Sequence, residues 1–159
     1  MAGLPPLTEE DTRTLDAALD ELLLRSEAGA ALVIDKGGPL ISQRGAVEKF
    51  DATTVSALAA GAFSATQMMA EHLGETSLAH VYQQGERSSL LISNVDENLL
   101  LIVVFPAELG AGAVKYYAAA AAGRIAAQMR KAALREPGAK LDLVSMNLLD
   151  VSGVFRKSE

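Results

Sequence analysis

The stretch Leu99-Leu-Leu-Ile-Val-Val-Phe105 constrains this chain more than any other part of it. It has strand length and is partly β-branched, and it lacks the apolar–polar alternation of a strand with one wet face. Both of its faces must therefore be covered. Turn signals at Gly85-Glu86-Arg87 and Val95-Asp96-Glu97-Asn98 set off two preceding strand patterns, about His80–Gln84 and Ser89–Asn94. Turns this short join antiparallel neighbours. An antiparallel sheet with a strand buried on both sides demands helices above and below it.

The rest of the chain supplies them. Thr8 caps a helix whose first turn is Glu9-Glu10-Asp11, acids at its positive end. Leu15, Ala18, Leu19 and Leu22 recur at the spacing of one buried face, and Gly29 is a stop. Ala31–Ile34 reads as a buried strand and Asp35-Lys36-Gly37-Gly38 as a tight turn. Pro39–Gln43 returns as a strand that its proline places at an edge. A second helix runs from Asp51, its N-cap, to about His72, with Gly74 as the residue after the cap. Val55, Leu58, Ala62, Ala65, Met69 and Leu73 form one stripe on it; Ala57, Gly61, Ser64 and Met68 form a second, mostly of small residues. Gly61 costs a helix about 1 kcal/mol relative to Ala, which suggests that something packs close there. An Ala-rich third helix runs from about Gly112 to Leu134, basic towards its end, and Glu136-Pro137-Gly138 stops it. The order is α-β-β-α-β-β-β-α. It predicts one three-layer α-β-α sandwich around a five-stranded antiparallel sheet over residues 1–135, followed by a tail, 136–159.

That tail holds Leu141, Leu143, Val144, Met146, Leu148, Leu149, Val151, Val154 and Phe155. Disordered tails are poor in such residues. It reads as built to dock through Leu148, Leu149, Val151 and Phe155, either back on its own domain or as a short partner-binding helix.

Composition removes whole classes of function. The chain has 159 residues, no Cys, and a net charge of −6 from 14 basic and 20 acidic side chains. Without Cys there is no disulfide framework, zinc ribbon or thiol nucleophile. The acidic balance argues against nucleic acid. No apolar run approaches the roughly 18–20 residues that cross a bilayer, and the N-terminus lacks a signal-peptide pattern, so a cytoplasmic protein without membrane insertion is expected.

Catalytic constellations are missing too. The sequence holds no phosphate-binding G-x-x-x-x-G-K-[S/T] and no G-x-S-x-G elbow. Gly110–Lys115 reads as a flexible helix start. His72 and His80, the two histidines, lack metal-ligand spacing, and His72 suits a helix end. Asp96 and Glu97 sit together in a hairpin turn, where solvation outweighs acid–base work. Arg44 and Arg87 lie in or near loops, where an arginine can act on a partner's phosphates but is more often solvated. No active site, metal or cofactor is expected.

The element order resembles the Roadblock / dynein light chain domain, a sandwich related to longin and profilin-like folds. Leu32–Ser42, Asp51–Gly61, His80–Glu86 and Leu99–Phe105 resemble, in order, segments of bacterial MglB-type GTPase-activating proteins. The resemblance covers about residues 8–135, and more weakly Leu148 to Phe155. It implies a homodimer, or a tetramer built from it, in which middle helices pair and third strands join edge to edge. It also implies a small Ras-like GTPase of the MglA type as partner, in cell polarity, with GTP and Mg held by that partner. MglB-type members donate no catalytic arginine; they reshape the switch regions of the GTPase. The corresponding GTPase or dimer interface here is Thr54, Ala57, Gly61, Ser64, Met68 and Glu71. Two other readings are a scaffold subunit without effect on hydrolysis and a small-molecule sensor.

Overall fold

The computed structural model describes residues 3–135. Helix α1 (Glu9–Ser26) is followed by β1 (Ala30–Asp35), β2 (Leu40–Gly45), α2 (Ala52–His72), β3 (His80–Gln84), β4 (Ser88–Asn94), β5 (Leu99–Pro106) and α3 (Ala111–Ala133). A short 3-10 turn, Val47–Lys49, leads from β2 to α2. This is the expected order, with boundaries shifted by a residue or two.

The sheet order is β2-β1-β5-β4-β3, antiparallel throughout. The apolar run of β5 therefore lies in the middle strand, and β2 and β3 are the edges of the sheet. Helices α1 and α3 cover one face, where Leu15, Leu19, Leu22, Val33, Leu101, Phe105 and Ile125 interlock. Helix α2 covers the other, against Leu32, Ile34, Ile92, Leu100 and Ile102. Alternate residues of β5 enter the two clusters, which is why that run shows no polar position.

Helix α1 starts as expected. The Thr8 hydroxyl accepts the Asp11 amide while the Asp11 carboxylate accepts the Thr8 amide and hydroxyl. It ends earlier than Gly29 suggests, at Glu27, a non-glycine residue in the left-handed region (φ 60°). Asp51 caps α2 by accepting the Thr54 amide at 3.1 Å, and Gly74 takes the left-handed φ of +85° just beyond its end.

Asp11 does more than cap. It is fully buried, and it accepts from Gln128 on α3 at 2.7 Å and from both terminal nitrogens of Arg135. The Arg135 guanidinium, ahead of the other hydrogen bonds, holds this carboxyl well below the usual carboxylate range against the opposing effect of burial. The first turn of α1 is thus fastened to the end of α3.

Candidate functional site

Helix α2 carries apolar residues on more than one side, so period alone cannot say which face it buries. In the fold it buries Ser56, Ala59, Ala60 and Phe63. The stripe Val55, Leu58, Ala62, Ala65, Met69, Leu73 is not the buried one: Val55 is half-buried and the rest are exposed. The hydrophobic positions that a core would claim are instead open, Leu58 at 68%, Met68 at 60%, Met69 at 59% and Leu73 at 83% exposure. Scattered exposed apolar residues are ordinary; here Leu58, Met69 and Leu73 share one stripe and Met68 lies on the second, which makes the outward side of α2 a candidate contact face.

Thr54, Ala57, Gly61, Ser64, Met68 and Glu71 all fall on this outward side. Thr54 is partly committed, since its hydroxyl donates to Asp51 at 2.7 Å and so holds the Asp51 carboxyl below its ordinary pKa. The β1–β2 turn passes close to Ala57: a Cβ on Gly38 would lie 3.7 Å from its Cα. Gly61 differs. A Cβ there would meet nothing within 4 Å among the described residues, so nothing in this part of the chain accounts for the missing side chain.

Strand β3, whose Val81 packs against the cluster that α2 covers, has an outer edge with no neighbouring strand in the sheet. The opposite edge, β2, is tied to α1 by side chains: Ser42 donates to Asp16 at 2.6 Å and Arg44 to Asp20 at 3.0 Å. No comparable tie from a helix reaches the outer edge of β3 among the described residues. Tyr82 on β3 stacks on Phe105, ring centroids 6.1 Å apart, and stays partly exposed.

Three of the polar candidates, Asp96, His80 and Arg44, have structural partners. Asp96 accepts the amides of Asn98 and Leu99, both at 2.8 Å, which makes its carboxylate part of the turn. It and the exposed Glu97 face Lys36, whose ammonium sits 5.8 Å from the Phe63 ring centre and whose pKa burial lowers. His80 shares a 2.9 Å hydrogen bond with Ser93, and burial, then Lys115, lowers its pKa. His72 is exposed in the last turn of α2. Arg44 is engaged with Asp20, as described. Gly110 precedes α3 as its N-cap residue. The docking residues Leu148, Leu149, Val151 and Phe155 lie outside the described residues. Among the described residues no helix is long and apolar enough to cross a membrane, and no three carboxylate or histidine groups cluster as a metal site.

One surface escaped the sequence. A groove of about 420 Å³ opens where α2 begins, over the end of β5 and the start of β4. Phe50, Val55, Leu90 and Val104 line it, with Lys49 and Arg87 as its only charged residues. Neither cation makes an ion pair among the described residues. Arg87 stood out as a loop arginine, but Lys49 and Phe50 carry no local signal; only the folding of the sheet brings them beside it.

A family model for the Roadblock/LC7 domain matches residues 14–105, from within α1 almost to the end of β5. The chain belongs to the Roadblock/LC7 family. No curated protein matches it by sequence. Among solved structures, one described as MglB with tetrameric arrangement is 28% identical over 83% of this chain and 99% of that one, with a TM-score of 0.74. The gliding protein MglB from Thermus thermophilus is 28% identical, over 82% and 99%, with a TM-score of 0.73. Myxococcus xanthus MglB is 24% identical, over 83% and 98%, with a TM-score of 0.75; at that identity the likeness speaks for the fold alone. The Roadblock fold expected from the sequence is thus shown, and these three solved structures that share it are MglB proteins.

Proposed function

We propose that this Roadblock domain works as a homodimeric regulator that binds a small Ras-like GTPase of the MglA type and accelerates its GTP hydrolysis. The observation that carries the reading is the outward side of α2. It exposes Leu58, Met68, Met69 and Leu73 and leaves Gly61 open to close approach. Apolar surface of this kind is stabilised when a partner excludes water from it, at roughly 25 cal/mol per Å² of apolar area. The open edge of β3 offers unpaired backbone groups to a second copy, which would extend the sheet and protect the edge.

In this reading the domain supplies shape and no catalytic group. The GTPase keeps its own GTP and Mg, and the regulator places the switch regions so that the GTPase's residues reach the phosphates. The likeness to MglB structures supports it, as does the use of Asp96, His80 and Arg44 in turns, a strand contact and a surface ion pair.

The test mixes purified protein with the MglA-type GTPase of the same genome. Faster GTP hydrolysis and co-elution in the GTP state are expected. Co-elution with an unchanged hydrolysis rate assigns a scaffold role instead, and the absence of both refutes the partner.

A further inference from the structure

We propose that the groove bounded by Lys49 and Arg87 is the docking site for this chain's own C-terminal segment, Leu148–Phe155. The inference goes beyond the regulator reading and does not depend on it. Three observations meet. The groove pairs an apolar lining (Phe50, Val55, Leu90, Val104) with two cations and no acid, on a chain whose net charge is −6. The segment Leu141–Phe155 is the converse: apolar, with Asp142 and Asp150 and no Lys or Arg. Asp150 sits between Leu149 and Val151, so it can meet a rim cation while its neighbours enter the lining.

Reach selects which part of the tail arrives. The described chain ends at Arg135, bound to Asp11 in the first turn of α1. The groove is at the opposite end of the helical layer, near Gly29 after α1 and Pro106 before α3, and on the α2 face of the sheet. Helix α3, with 23 residues, is about 35 Å long, and passing to the α2 face of the sheet adds to the distance to be covered. Leu141 and Leu143 lie within about 28 Å of chain from Arg135 and fall short. Leu148 has at most about 45 Å of chain available and Phe155 about 70 Å, so the anchor comes from this later part of the tail. Residues 136–147 then serve as a strap, and Leu148–Phe155 as the anchor. The occupied groove adjoins Thr54 at the start of α2, so the anchor would border the outward face of that helix.

The absence of native cysteine makes the test direct. Ser88→Cys at the groove and Val151→Cys in the tail give the full-length chain a single thiol pair. Mild oxidation is expected to yield an intrachain disulfide, read by peptide mass. Arg87→Glu should slow its formation about fivefold, and adding Asp150→Arg in that background should restore the rate. A disulfide formed only between chains assigns the groove to a second copy and overturns the proposal. So does no disulfide, or a rate indifferent to both charge changes.

Discussion

The two helical layers are built to different ends. Helices α1 and α3 seal their face of the sheet with fully buried Leu15, Leu19 and Ile125 and with the bonds from Asp11 to Gln128 and Arg135. Arg124 on α3 adds a surface bond to Glu21 on α1. Helix α2 commits one large side chain, Phe63, to the opposite core and turns four others to solvent. The first layer completes the fold. The second, on the function proposed above, is half of a contact.

The contrast should be plainest in large-to-small substitutions. Leu19→Ala removes a fully buried side chain and should cost about 3–4 kcal/mol in urea denaturation. Leu58→Ala on α2, two-thirds exposed, should stay within about 0.5 kcal/mol. Equal losses would erase the distinction between the layers.

Asp11→Ala should be next, at about 2 kcal/mol at pH 7, because it strips Gln128 of its partner and opens the capping box. The effect carries a pH signature. The folded pKa of Asp11 is depressed, so its contribution is present above the unfolded carboxylate range, about 4, and is lost as pH falls through the depressed value. Denaturation midpoints of wild type and variant should therefore converge as the medium is acidified below about pH 4. A constant gap would mean that the charge of Asp11 contributes nothing.

Gly61 gives a smaller and more pointed effect. With open space where its Cβ would lie, Gly61→Ala should raise the stability of the separate domain by about 1 kcal/mol. Gly61→Arg should keep a native circular dichroism spectrum and lose self-association or GTPase binding in gel filtration. Normal assembly of that variant would show that the outward side of α2 touches no partner. Smallest of all, Met69→Gln should leave the unfolding midpoint nearly unchanged, within about 0.5 kcal/mol, while weakening assembly. A clear loss of stability would place Met69 in the core.

Local signals carried most of the fold. Thr8 and Asp51 as caps, Gly74 after α2, and the uniform apolarity of β5 each depend on neighbours in sequence, and each is where expected. The facing of α2 was not legible, because its large apolar residues are spread over several sides and the most regular apolar stripe is not the buried one; Phe63 is selected by what the sheet presents. The partnership of Asp11 with Gln128 and Arg135 spans 117 and 124 residues of sequence, and no spacing rule sees that far. The groove shares this difficulty, since Lys49 and Arg87 belong to separate connections that only the sheet brings together.

The pairing of β1 with β5 sets the timetable of synthesis. Ala30 lies opposite Val104, and Asp35 opposite Leu99. The middle of the sheet therefore cannot close until Phe105 has left the ribosome, and until then α1, the β1–β2 hairpin and the apolar face of α2 wait without the strand they share. Such a wait leaves apolar surface uncovered in the growing chain. A pause in translation before β5 has emerged should expose this protein to aggregation more than a pause after it has emerged.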